Sequence, residues 1–125
     1  MTAWTADELS TLATADELQI TSRRADGTLR PYVTIWVVRA GDGVYVRSAY
    51  GATNPWYVRA KASGSGRIRA GELEKDVRFE PADRSVAPDV DAAYHAKYDR
   101  YGPRIVNTVV GPEAPETTLE VLPAG

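Results

Sequence analysis

The chain has no cysteine, a single histidine, one methionine and one phenylalanine among its 125 residues. Without cysteine, disulfides and thiolate metal sites are excluded. With His95 alone, a multi-histidine metal centre is impossible, and only carboxylate-rich sites stay open. No stretch of roughly 18 apolar residues occurs, so no membrane-spanning helix is expected. The opening residues Met1 to Leu9 carry acids and no basic start, which is unlike a signal peptide. The expected location is therefore the cytoplasm. A net charge of −2 argues against a dedicated nucleic-acid binder. Lysine is scarce too. Of the 15 basic residues, nearly all are arginines, whose planar fork holds phosphate and carboxylate in a way that lysine does not.

What is present fits one domain over residues 1–125, large enough to bury a core without staples. Thr5-Ala-Asp-Glu8 has the form of a capping box and predicts a short helix to about Ala13. Gln19 to Ser22 reads as a strand, and Asp26-Gly27 as a hairpin turn. In Arg30-Pro-Tyr-Val-Thr-Ile-Trp-Val-Val-Arg39, the residues Val33, Ile35 and Val37 alternate with Tyr32, Thr34 and Trp36. Both faces are bulky, which predicts a central strand covered on each side. Gly41-Asp-Gly43 turns the chain into a partner strand from Val44 to Ser48. Asn54 followed by Pro55 opens a helix that ends before Gly64. Strands are expected at 66–70, 76–80 and 117–122. Between the last two, Val90, Tyr94, Lys97, Tyr98 and Tyr101 share one helical face, and Gly102-Pro103 stops that helix. Residues 111–116 read as a loop. The sum is a mostly β chain of roughly six antiparallel strands and three short helices, and such a sheet avoids open edges by closing into a barrel.

The stretch from Arg47 to Lys61 carries the most chemistry. A strand ends at Arg47-Ser48, a loop with Gly51 follows, and a helix opens at Asn54-Pro55. Helix N-termini offer unpaired N–H groups and a positive dipole end to anions. Ser48 adds a hydroxyl, and Arg47 and Arg59 add charge. Read alone, the same stretch is also an ordinary connection with surface arginines, since no phosphate-loop or dinucleotide fingerprint is present. Trp36, Trp56 and Tyr57 are able to flank a planar ring or to fill a core. The tyrosine stripe 94, 98 and 101 reads as packing, a dimer interface or a pocket wall. His95 is offset from it and expected in solvent. Asp89 and Asp91 sit near a helix start, where carboxylates favour the dipole.

Arg24 to Arg30, the strand to Val38, and Tyr45 to Lys61 together resemble the deazaflavin-dependent nitroreductase branch of the flavin-binding split barrels, which are themselves similar to pyridoxamine-phosphate-oxidase-like proteins. The corresponding pieces are Asp26-Gly27, Arg30, Ser48-Ala-Tyr-Gly51 and Pro55-Trp-Tyr-Val-Arg59. The Tyr-rich helix and the Leu-x-Val-Leu-Pro ending extend the likeness over nearly the whole chain, and it is nearest to an uncharacterised family of short proteins. The resemblance implies a six-stranded split barrel, a homodimer, and flavin mononucleotide or a 5-deazaflavin coenzyme at the subunit interface, with no metal. It implies that Arg30, Ser48 and the loop through Tyr50 and Gly51 hold the phosphate, with Trp56 beside it, to which the charges of Arg47 and Arg59 read above would add. The ring would lie along Tyr32, Thr34 and Trp36. The implied activity is oxidoreduction of a small molecule. Two other uses of the barrel stay open. One is a non-redox small-molecule binder, suggested by Asp26, Tyr50 and Arg59. The other is a cofactor-free enzyme using Asp26, Tyr32, Tyr50 and His95 as proton carriers.

Overall fold

A computed structural model describes residues 4–49, 51–110 and 114–124. Its elements in chain order are α1 (Ala6–Thr14), β1 (Leu18–Ser22), β2 (Val33–Ile35), β3 (Val38–Ala40), β4 (Gly43–Arg47), α2 (Pro55–Ser63), β5 (Ser65–Ala70), β6 (Leu73–Pro81), α3 (Ala87–Tyr98), α4 (Pro103–Val110) and β7 (Thr118–Pro123). Thr5 caps α1 as its spelling predicts, with the Glu8 N–H donating to its hydroxyl and Glu8 accepting from the Thr5 N–H. Gly64 ends α2 in the left-handed conformation.

Every strand pair is antiparallel, in the order β2-β1-β5-β6-β7-β4-β3. The two outermost strands are consecutive pieces of one segment. The sheet therefore curls until its edges meet end to end, as a split barrel with a seam at Trp36-Val37. Among the described residues the expected six strands become seven because the segment 33–40 breaks in two. That break also overturns its expected central place. β2 is mostly exposed, with Val33 at 39 %, and the strand covered on both faces is β4. Val44 and Val46 enter the barrel core, while Tyr45 faces α3 and α4.

The barrel core gathers Leu18, Ile20, Ile68, Val77, Phe79, Leu119 and Val121, with Leu9 and Leu12 from α1 and Trp56, Tyr57 and Ala60 from α2. Full burial of each leucine, isoleucine, valine or phenylalanine among them contributes about 1.5–3 kcal/mol. A second cluster covers the outside of β3 and β4 with Val90, Tyr94 and Tyr98 of α3 and Val106 and Val109 of α4. α4 departs from the sequence reading, which has three helices and assigns none here. Its β-branched residues favour strands, but Val106 and Val109 lie three apart and share the buried face, so packing overrides propensity.

The broken segment leaves backbone groups without ladder partners, and α3 supplies them. The Val37 N–H donates to the Tyr98 hydroxyl at 3.1 Å, and the Val37 carbonyl accepts from Lys97 Nζ at 2.7 Å. The seam is thus a built feature in which side chains replace sheet hydrogen bonds.

Candidate functional site

A groove runs from the seam, between β2 and α4, past the start of α2 to the hairpin before β2. Its apolar end is a cleft of about 310 Å³, walled by Val33, Thr34, Ile35 and Trp36 on one side and by Ile105 and Val109 of α4 on the other, with Trp56, Ala49 and Asn54 at the start of α2. Past Trp56 the groove narrows to a waist between Val33, Arg30 and Arg59. It then opens into a basin of about 580 Å³ bordered by Arg23, Arg24, Arg30 and Arg59. Trp56 and Val33 border both the cleft and the waist, and Arg30 and Arg59 border both the waist and the basin.

The four arginines are not equivalent. Arg23 pairs with Asp76 at 2.8 Å and donates to the Gly27 carbonyl. Arg24 holds the Leu29 carbonyl and the Thr28 hydroxyl. Arg30 is fixed through its backbone, its N–H donating to the Ser22 carbonyl at 3.0 Å. Its Nε is buried and makes no hydrogen bond. Among the described residues neither Arg30 nor Arg59 has an ion-pair partner. A buried guanidinium nitrogen without an acceptor is costly, and a bound anion would satisfy it. Asp26 does not cancel this charge from within the basin. It is exposed in its turn, where hydrogen bonds from Thr28 hold its carboxyl below the usual range.

The structure brings Arg30, Thr34, Trp36, Trp56 and Arg59 to this groove, together with one wall of Arg47. It separates the others. Tyr32 lies outside the cleft, its ring beneath the Arg69 guanidinium at 4.1 Å, on the side where Arg69 also holds the exposed Gln19. The Ser48 hydroxyl is turned into its own loop, donating to the Gly51 carbonyl. Gly51 has φ +96° with open space around a hypothetical Cβ, so its backbone angle calls for glycine there. Tyr50 lies outside the described residues.

Arg47 corrects the expectation of a charge free for a ligand. Its side chain is wholly buried, pairs with Asp91, donates to the Val109 carbonyl at 2.9 Å and to the Thr118 hydroxyl at 2.8 Å, and sits against the Tyr94 ring. Asp91 accordingly does more than favour a helix dipole: it neutralises a buried cation across the second core. His95 is exposed, as expected, and meets Asp99 at 2.8 Å. Asp26, Tyr32 and His95 stand in three separate places and form no joint acid–base set. Among the described residues no cluster of three or more His, Cys, Asp or Glu could hold a metal, and no helix is long and apolar enough to cross a membrane.

Sequence reasoning missed Arg23, Arg24, Ile105 and Val109. The adjacent arginines were a visible signal, but only the hairpin fold brings them to the border of the basin beside α2. The two α4 residues were hidden by the β-like composition of their segment.

A family of uncharacterized proteins conserved in bacteria, DUF2255, matches residues 8–121. The chain belongs to this family. No curated protein matches it. Among solved structures it is similar to a Listeria innocua protein provisionally named a pyridoxamine 5'-phosphate oxidase, at 14 % identity and a TM-score of 0.64 over 94 % of this chain and 90 % of that one. It is also similar to an FAD-binding protein from Mesorhizobium loti, at 18 % identity and a TM-score of 0.53 over 98 % and 92 %. An F420 reductase matches at 16 % identity and a TM-score of 0.53 over 91 % and 90 %. These likenesses establish the fold of the DUF2255 chain as the split barrel of the flavin-binding kind.

Proposed function

We propose that the protein is a flavin- or deazaflavin-dependent oxidoreductase acting on a small molecule, with its cofactor lying along the groove. The observation that carries this reading is the continuity of an apolar, tryptophan-walled cleft with an arginine-lined waist in which the buried Arg30 Nε has no partner. A flat ring with an anionic tail has this polarity. The neighbours described as FAD-binding and as an F420 reductase support the same class of ligand.

Arg30 and Arg59 hold the phosphate, with Arg30 contributing Nε from a fixed backbone. Trp36 and Trp56 offer aromatic surface to the ring, and Val33, Ile35 and Ile105 exclude water from it. The ring, when bound, supplies the hydride chemistry, and the protein supplies binding, orientation and dryness. Val33 and Ile105 are 39 % and 49 % exposed at the cleft rim. A second copy of the chain covering that rim would enclose the cofactor, so the functional unit in this reading is a homodimer.

Fluorescence titration with flavin mononucleotide and with a 5-deazaflavin coenzyme tests the reading. One of them binds with micromolar affinity. Arg30→Ala weakens that binding about tenfold or more, the equivalent of one charge-assisted hydrogen bond of about 1.5–3 kcal/mol. Absence of binding by both overturns the reading in favour of a non-redox ligand for the same groove.

A further inference from the structure

Trp36 belongs to two structures at once: it walls the cleft, and it forms one layer of an aromatic stack on α3 and the turn after it. The Tyr98 ring lies parallel to it, with centroids 4.0 Å apart and planes 3° apart. The Tyr101 ring follows at 5.6 Å. Tyr101 is 44 % exposed, so the stack reaches from the cleft to solvent. Of the three tryptophans, Trp4 and Trp56 are buried at 9 % and 8 % exposure, whereas Trp36 is half-buried. The barrel seam gives up ladder hydrogen bonds where Trp36 is presented, and Tyr98 both replaces them and stacks on the indole.

The two tyrosines differ in where a proton can go. The Tyr98 hydroxyl donates only to peptide carbonyls, of Asp16 and Val37, and burial pushes it up to about 12. It therefore keeps its proton. The Tyr101 hydroxyl is 3.4 Å from a carboxylate oxygen of Asp16 and accepts from Arg100 at 3.1 Å. A carboxylate is a competent acceptor for the proton that a phenol sheds when it is oxidised, and a peptide carbonyl is not.

We infer that Trp36 and Tyr101 form a one-electron relay between the cleft and the protein surface, with Tyr98 stacked behind the indole and Asp16 as the proton acceptor. The relay rests on the flavin reading for its oxidant, a photoexcited isoalloxazine in the cleft, but not for its own existence. Trp36 gives up one electron to that oxidant. One electron then passes from Tyr101 to the Trp36 radical cation, and the phenolic proton moves to Asp16. The oxidant has gained one electron, Tyr101 is a neutral phenoxyl radical, Asp16 is a carboxylic acid, and Trp36 and Tyr98 are unchanged. The oxidising equivalent has then moved from the cleft to the protein surface.

Pulse radiolysis of the ligand-free protein with azide radicals tests the relay without any cofactor, because azide radicals oxidise indole in preference to phenol at neutral pH. The tryptophanyl signal converts to a tyrosyl signal in a first-order step whose rate is independent of protein concentration. Tyr101→Phe and Trp36→Phe each abolish this step, and Asp16→Asn slows it. Tyr101→Phe keeps the ring and alters an exposed position, so the fold survives it. Full conversion persisting in Tyr101→Phe overturns the relay. Blue light on the protein mixed with flavin mononucleotide then produces the same Tyr101 radical, detected by electron paramagnetic resonance. If radiolysis shows the relay while the light-driven signal is missing, the relay stands and the cleft is not a flavin site.

Discussion

At the scale of single residues, buried charge decides more than exposed charge. Arg47 is wholly buried and balanced by Asp91, whose side chain is 39 % exposed. Asp91→Ala leaves the guanidinium inside without its counter-charge, and urea unfolding will show a loss of about 3 kcal/mol, the lower end for breaking such a pair because water reaches one partner. Lys97 and the buried tyrosines, Tyr94 and Tyr98 among them, shape the alkaline response. Burial depresses Lys97 to about 8 from 10.5. Its unfolded form therefore holds more protons between these values, and stability rises with pH across that window. Burial raises Tyr98 from 10.0 to about 12. Its contribution is complete below 10 and is lost as pH climbs toward 12. Urea midpoints measured across the alkaline range should rise and then fall, and Lys97→Met should flatten the rise while leaving the fall. Arg30, Arg47 and Arg59 were all legible in the sequence as anion candidates. Their different fates were not, because an arginine's spelling says nothing about which acid, ligand or solvent it will meet.

Among the elements, the segment 33–40 holds most of the consequence. Its alternation was readable as β, and it is β on either side of Trp36-Val37. The break depends on two side chains of α3, more than fifty residues later in the chain: Tyr98 accepts from the Val37 N–H and Lys97 donates to its carbonyl. Tyr98→Phe keeps the ring on Trp36 but removes the hydroxyl that serves Val37 and Asp16. Denaturant unfolding will register about 1–3 kcal/mol for the buried N–H left unpaired, and the cleft wall will loosen with it. β5 carries a different constraint. A Cβ on Gly66 would stand 1.9 Å from the Thr21 carbonyl of the paired strand. Gly66→Ala therefore forces β1 and β5 apart, at a cost of about 3 kcal/mol or more, visible as a lowered melting temperature. By contrast Thr5, whose capping role was fully spelled out locally, should cost about 1 kcal/mol when replaced by alanine.

For the whole molecule, the proposed ligand in the groove would couple binding to stability. A ligand that binds only the folded form at a hundred times its dissociation constant adds about 2.7 kcal/mol. Flavin mononucleotide or the deazaflavin should therefore raise the melting temperature, and Arg30→Ala should abolish most of that rise. A homodimer should appear in sedimentation velocity, and Ile105→Asp at the exposed cleft rim should shift it toward monomer without unfolding the chain.

The Thr5 capping box, the turns at Gly27 and Gly41, the exclusion of disulfides and the mostly β character follow from residues adjacent in the chain, where backbone preference and side-chain reach act over one turn, whereas the Asn54 side chain does not cap α2. The spacing of Val90, Tyr94 and Tyr98 likewise determined which face of α3 is buried. Tertiary structure alone decided that one strand would break at Trp36, that a β-branched segment would form α4, that Arg47 would be neutralised by Asp91, and that Arg30 would meet Trp56 and Arg59 of α2. Each of these depends on groups far apart in sequence, and the energy that selects them exists only once the barrel has closed.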